Sequence, residues 1–127
     1  IISPFLDGTS LEGITRDSII LMANDLGYEM REQDIPRESL YTADELFFTG
    51  TAAEVLPIQS LDGRVIGAGH RGLITEKLQT MYFDTVTGRD PFNAEWLTLV
   101  RYPHQPHKKA ASVKRPFLCL LSEQSHR

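Results

Sequence analysis

Leu46-Phe47-Phe48-Thr49 is a compact apolar strand that breaks abruptly into Gly50-Thr51-Ala52-Ala53-Glu54. A chain interrupts a strand with such small residues in one of two ways. The run is a turn or bulge in a sheet, or it lets the backbone approach a ligand where no side chain stands in the way. Local argument leaves the two equally open. Both need a folded domain around them, and 127 residues at 41% hydrophobic and 24% charged can supply one with a modest core.

The flanking periodicities say what kind of domain. Ile19, Met22, Ala23 and Leu26 recur at i, i+3, i+4, i+7, the apolar stripe of an amphipathic helix. Thr15 is its expected N-cap, Asp17 suits the first turn, and Gly27 is the expected stop. Tyr28 to Ile35 reads as a short strand closed by Pro36, and residues 37–45 as a short helical or turn-rich link. Glu54 to Ser60 is expected to be extended, Asp62-Gly63 is a hairpin signal, and Arg64 to Gly67 forms the return strand. A second helix is predicted from Leu73 to Val86, with Ile74, Leu78, Met81 and Tyr82 on one face and Gly88 ending it. Helix, strand, link, strand, hairpin, helix is a mixed α/β order.

Charge locates a boundary. Residues 1–100 hold seven basic and sixteen acidic groups, whereas residues 101–127 hold six basic groups and the single acid Glu123. The basic stretch also carries Pro103, Pro106, Pro116 and three of the four histidines, so a domain edge is expected near Val100. Residues 101–127 read as a solvated, disordered or non-native extension, in preference to a nucleic-acid arm. Ile1-Ile2-Ser3-Pro4 lacks a basic n-region and a cleavage site, and an apolar start without methionine is expected to lie inside something larger. No apolar run reaches bilayer-spanning length. One cysteine, Cys119, excludes a disulfide framework, and its apolar neighbours Phe117 to Leu121 mark it as inert. No metal site is expected, because His70 is the only histidine outside the tail.

Gly13-Ile14-Thr15-Arg16-Asp17 opens directly into the first helix. Free N–H groups and the positive end of the helix dipole make such a start an anion site suited to phosphate, although the motif alone favours Thr15 simply capping its own helix. Gly67-Ala68-Gly69-His70-Arg71-Gly72 fits the dinucleotide pattern, yet only Arg64-Val65-Ile66 precedes it, and Asp90 lies in a turn. It reads as a glycine-rich connection from hairpin to helix.

Gly13-Ile14-Thr15-Arg16-Asp17, Glu38-Ser39-Leu40-Tyr41-Thr42-Ala43-Asp44-Glu45-Leu46-Phe47 and Thr49-Gly50-Thr51-Ala52-Ala53-Glu54-Val55-Leu56-Pro57-Ile58 together resemble the C-terminal domain of branched-chain amino acid aminotransferases. These are fold-type IV pyridoxal-phosphate enzymes. Asp62 to Gly67, Gly72 to Thr75, and Thr87-Gly88-Arg89 before Trp96-Leu97 extend the resemblance over residues 3–100. Leu73 departs from it, because the family usually has proline there, and either residue can open a helix.

The resemblance implies an α/β domain of the D-amino acid aminotransferase-like fold, a mixed sheet with flanking helices, over residues 1–100. It implies pyridoxal 5'-phosphate as cofactor, with the amides of Ile14 and Thr15 and the Thr51 hydroxyl on its phosphate. Gly50 gives the close approach, and the amides of Thr51 and Ala52 face the substrate carboxylate. The implied activity is amino transfer between leucine, isoleucine or valine and 2-oxoglutarate, in a cytoplasmic homo-oligomer. The alternatives are a D-amino acid aminotransferase, an aminodeoxychorismate lyase relative, and a non-catalytic phosphate-binding module. The family's catalytic lysine lies upstream of the Gly-Ile-Thr-Arg-Asp turn. None of Lys77, Lys108, Lys109 and Lys114 matches it, so no catalytic residue is assigned here, the N-terminal domain is expected to be missing, and the chain alone is expected to be inactive.

Overall fold

A computed structural model describes residues 1–6, 13–91, 93–101 and 109–113. Cys119, the apolar residues around it and the histidines of the tail lie outside the described residues. In chain order the elements are β1 (Ile2–Ser3), α1 (Ile14–Asp25), β2 (Arg31–Glu32), α2 (Arg37–Leu40), β3 (Phe47–Gly50) and β4 (Glu54–Pro57). Then come β5 (Ser60–Leu61), β6 (Arg64–Val65), α3 (Leu73–Val86), a single 3-10 turn (Ala94–Trp96), β7 (Leu97–Arg101) and β8 (Lys109–Val113).

The apolar stripes decide where the helices go. Ile19, Met22 and Ala23 of α1, Val55 of β4 and Leu78 of α3 form one buried cluster, with Phe47, Ile74, Met81, Tyr82 and Trp96 packed against it. Each large aliphatic buried there contributes about 1.5–3 kcal/mol. Leu26, the fourth member of the first stripe, is 39% exposed. It is the C-cap of α1, already turning away from the core ahead of Gly27. The second helix spans Leu73–Val86, as its periodicity predicts.

Strands pair in four two-stranded ribbons. β1 and β2 run parallel, placing Ile2 opposite Arg31 and Ser3 opposite Glu32. The other three ribbons are antiparallel. In the β3–β4 ribbon Phe48 faces Leu56 and Gly50 faces Glu54. Parallel and antiparallel ribbons with flanking helices make this an α/β arrangement, the class expected from the sequence.

Four local expectations are corrected. The return strand expected from Arg64 to Gly67 ends at Val65, because β5 offers only Ser60 and Leu61 as partners. Tyr28 to Ile35 is a strand only at Arg31–Glu32, because β1 offers just two residues to pair with. The extended run expected from Glu54 to Ser60 is divided between β4 and β5, which pair with different partners. Thr15 is not an N-cap: α1 starts at Ile14, Gly13 is the N-cap, and no side chain caps it. Thr15 therefore sits in the first turn, buried at 4% exposure.

The β5–β6 turn is as expected. Asp62 and Gly63 both have positive φ, 51° and 75°, the geometry of a turn whose twist matches the flanking strands. Its tip is held to α2: the Arg37 guanidinium and the Tyr41 hydroxyl both donate to the Asp62 carboxylate. The Arg64 guanidinium lies over the Tyr41 ring, 5.0 Å from its centroid.

Candidate functional site

Two helix N-termini could each receive an anion, and the structure treats them differently. At α3 the place is taken. The Glu45 carboxylate accepts from the Ile74 N–H at 3.1 Å, the Thr75 N–H at 2.9 Å and the Thr75 hydroxyl at 2.7 Å. Burial pushes the Glu45 carboxyl up, but the Thr75 N–H and hydroxyl, then the Ile74 and Leu73 N–H groups, outweigh it and hold it below its ordinary value. Gly72 permits this approach, since a Cβ there would lie 2.0 Å from Glu45 Cδ. At Gly67, φ is +51° and a Cβ would meet the Asp44 carbonyl oxygen at 1.9 Å. The Gly-x-Gly-x-x-Gly run therefore makes room for residues 44–45 of its own chain.

At α1, no side chain among the described residues takes that place. Gly13 has φ −92° and ψ 129° and contributes no side-chain cap. The ladder begins with the Asp17 N–H donating to Gly13 O at 3.0 Å, so the N–H groups of Ile14, Thr15 and Arg16 precede it. N–H groups that precede the helix ladder at a dipole's positive end suit a phosphate.

Beside this start is a buried cation. Arg16 is 5% exposed. Its Nε donates to Ser3 Oγ at 2.9 Å, and its Nη2 donates to Pro4 O at 3.3 Å and to Glu32 Oε1 at 2.5 Å. Asp17 Oδ1 is 3.9 Å from its Nη1.

The second candidate turn, residues 51–53, closes β3 onto β4. Gly50 is buried at the end of β3, while Thr51 and Ala52 are exposed at the tip. Glu54 completes the turn with φ 55°, a left-handed conformation unusual for a residue with a Cβ. Tyr82 of α3 packs against the core cluster that α1 and β4 share with α3. Burial raises its phenol, a hydrogen bond with the Thr15 side chain lowers it, and the Glu54 charge raises it again. The strands joined by this turn pack against the two helices, β3 against α1 and β4 against α3.

Of the sequence candidates, Ile14 is half-buried and Thr15 buried at the α1 start; Gly50 is buried at the end of β3, which packs against α1, and Thr51 and Ala52 are exposed just beyond it. Arg16, Glu45 and Tyr82 were not singled out by sequence reasoning. A buried arginine directly after the anion turn carried a signal, because arginine is seldom buried without partners. Lys77 is engaged elsewhere, its Nζ donating to the Tyr28 hydroxyl at 3.2 Å. Among the described residues no group of three or more His, Cys, Asp or Glu could hold a metal ion. No described helix is long and apolar enough to cross a membrane.

A family model for class IV amino-transferases matches residues 1–61. The branched-chain-amino-acid aminotransferase of Pseudomonas aeruginosa is 56% identical over 91 residues, covering 72% of this chain and 30% of that protein. The Escherichia coli enzyme of the same name is 46% identical over 98 residues, 77% of this chain and 32% of its own length. Among solved structures, the branched-chain amino acid aminotransferase of Thermobaculum terrenum in its PLP-form superposes with a TM-score of 0.73 at 42% identity, over 76% of this chain and 32% of that one. The chain spans about 30% of the length of the curated relatives it matches.

Proposed function

The chain belongs to the class IV aminotransferase family, and from that premise we propose that it forms the cofactor-phosphate side of a branched-chain amino acid aminotransferase site. The observation that carries this is an α1 N-terminus without a side-chain cap, on a helix packed against β3, at whose end the exposed Thr51–Ala52 turn begins. Two main-chain N–H groups and a hydroxyl are a donor set fitted to a phosphate ester.

In this reading the Ile14 and Thr15 N–H groups and the Thr51 hydroxyl hold the phosphate of pyridoxal 5'-phosphate. Buried Gly50 lets the strand end come close, and the Thr51 and Ala52 N–H groups face the α-carboxylate of leucine, isoleucine or valine. The cofactor, when bound, supplies the electron sink for the chemistry at Cα. The lysine that carries it in the family lies upstream of the Gly-Ile-Thr-Arg-Asp turn, so we assign that residue to sequence outside these 127. The 127-residue chain by itself is therefore inactive. Residues 1–100 form the phosphate-binding domain, and residues 101–127, of which Lys109–Val113 pair with β7, are an extension whose removal the domain survives. Phe48 and Leu56, 42% and 52% exposed and directly opposite each other on β3–β4, support assembly as a homo-oligomer. A cytoplasmic location follows from the family reading.

The test is amino-donor preference of the full-length protein with added pyridoxal 5'-phosphate. Leucine, isoleucine and valine are expected to donate to 2-oxoglutarate. Preference for D-amino acids, or release of pyruvate from aminodeoxychorismate, would sink the branched-chain assignment. The 127-residue chain alone is expected to give no visible band that borohydride removes. Deleting residues 101–127 is expected to cost less than about 2 kcal/mol of stability.

A further inference from the structure

We infer that Arg16 is the positioning residue of the anion cradle at the start of α1: its guanidinium, tied to Ser3, Pro4 and Glu32, fixes the angle at which the Ile14 and Thr15 N–H groups face a phosphate. The inference rests on the cofactor reading above.

Ser3 and Glu32 are register partners on the parallel β1–β2 ribbon. The Arg16 fork reaches both, through Nε to Ser3 Oγ at 2.9 Å and Nη2 to Glu32 Oε1 at 2.5 Å, and takes Pro4 O as well at 3.3 Å. One side chain in the first turn of α1 therefore locks that turn to both strands of the ribbon. Helix starts fray readily, and this one has no side-chain cap to steady it. The amides just before Arg16 in the chain take their direction from where its backbone is pinned.

The alternative is that Arg16 acts by its positive charge. Two carboxylates argue against that: Glu32 is bonded to it, and Asp17 stands 3.9 Å from Nη1. With its charge offset, what remains is the rigid planar fork, which lysine cannot reproduce.

The experiment compares the affinities of the full-length protein for pyridoxal 5'-phosphate and for pyridoxal, which lacks the phosphate. Arg16→Lys is expected to lower the ratio of the two affinities roughly tenfold, about the effect of one weakened charge-assisted hydrogen bond, with pyridoxal binding within about twofold of wild type. Glu32→Gln keeps an acceptor oxygen and is expected to leave the ratio within about twofold. A lysine variant with the wild-type ratio overturns the inference, as does a Glu32→Gln ratio raised several-fold, which would show that charge acts at the cradle. Equal losses for both ligands would mark a merely structural residue and overturn it too. Should Arg16→Lys fail to fold, Ser3→Ala removes only the Nε acceptor and is expected to lower the ratio about two- to threefold; an unchanged ratio there refutes positioning. Wild-type protein that binds the two ligands equally would refute the cofactor reading itself, an outcome separable from failure at Arg16 alone.

Discussion

The starts of α1 and α3 are built from the same backbone and end in opposite states. Each helix follows a glycine N-cap, and neither N-cap offers a side-chain bond. At α3, Glu45 reaches in from about thirty residues upstream and fills the anion position with the protein's own carboxylate. At α1 no carboxylate of the described residues caps the leading N–H groups, and the Arg16 guanidinium is turned back toward β1 and β2. The difference teaches that a helix N-terminus satisfied by the protein's own carboxylate is a structural joint, whereas only one without such a partner can serve the proposed phosphate site. It also explains why the more conspicuous glycine motif, at residues 67–72, is the joint.

The sharpest way to break this comparison is Gly72→Ala. Its Cβ would displace the Glu45 carboxylate, leaving the Thr75 hydroxyl and helix N–H groups unpaired. The expected cost is about 2–3 kcal/mol in urea denaturation, with no change in the preference for phosphorylated cofactor. A loss below about 0.5 kcal/mol would mean that Glu45 is not what satisfies α3.

Thr51→Ala addresses the other pole. Losing one hydrogen bond to a charged phosphate, worth about 1.5–3 kcal/mol, should weaken pyridoxal 5'-phosphate binding roughly ten- to hundredfold. Thr51→Ser keeps the hydroxyl and should bind nearly as wild type does. Unchanged affinity in the alanine variant would remove Thr51 from the site.

Gly13→Asp would make α1 imitate α3. The extended backbone at Gly13 suits a capping aspartate, which should satisfy the leading N–H groups and repel a phosphate. Calorimetry is expected to show cofactor binding weakened about tenfold with the helix no less stable. Tighter binding would contradict an open α1 start.

The smallest effect is on pH dependence. Glu45 sits below its ordinary value in the folded state, so its stabilisation is present above the carboxylate range. That stabilisation is lost as pH falls through the folded-state value. Glu45→Gln should flatten the acid limb of the stability curve by less than about 1 kcal/mol, because the group is partly exposed. An acid limb of unchanged slope would assign that limb to other carboxylates.

Much of this was legible in the residues. The α3 stripe Ile74, Leu78, Met81, Tyr82 was readable because 3.6-residue periodicity is local, and the Asp62-Gly63 turn because few dipeptides accept positive φ twice. The break after β3 was readable because Gly50-Thr51-Ala52-Ala53 interrupts an apolar run with small residues. Glu45 was not, since its partners lie about thirty residues on and no spacing rule joins a link residue to a distant helix start. The β1–β2 pairing escaped because two residues per strand carry no alternation. Thr15 was misjudged as a cap for a related reason: Gly13 carries no cue of its own, and a hydroxyl residue close by invited the assignment.

Glu54 ends the β3–β4 turn with φ 55°, where glycine would rest freely and a residue with a Cβ is held at a conformational cost of about 1–2 kcal/mol. Such a cost persists only where the surroundings leave no alternative, and here Val55 immediately after it is locked into the core at 1% exposure. The turn that presents Thr51 and Ala52 is thereby preorganised: its shape is set on folding, so a ligand arriving there need spend little of its binding energy on ordering the loop.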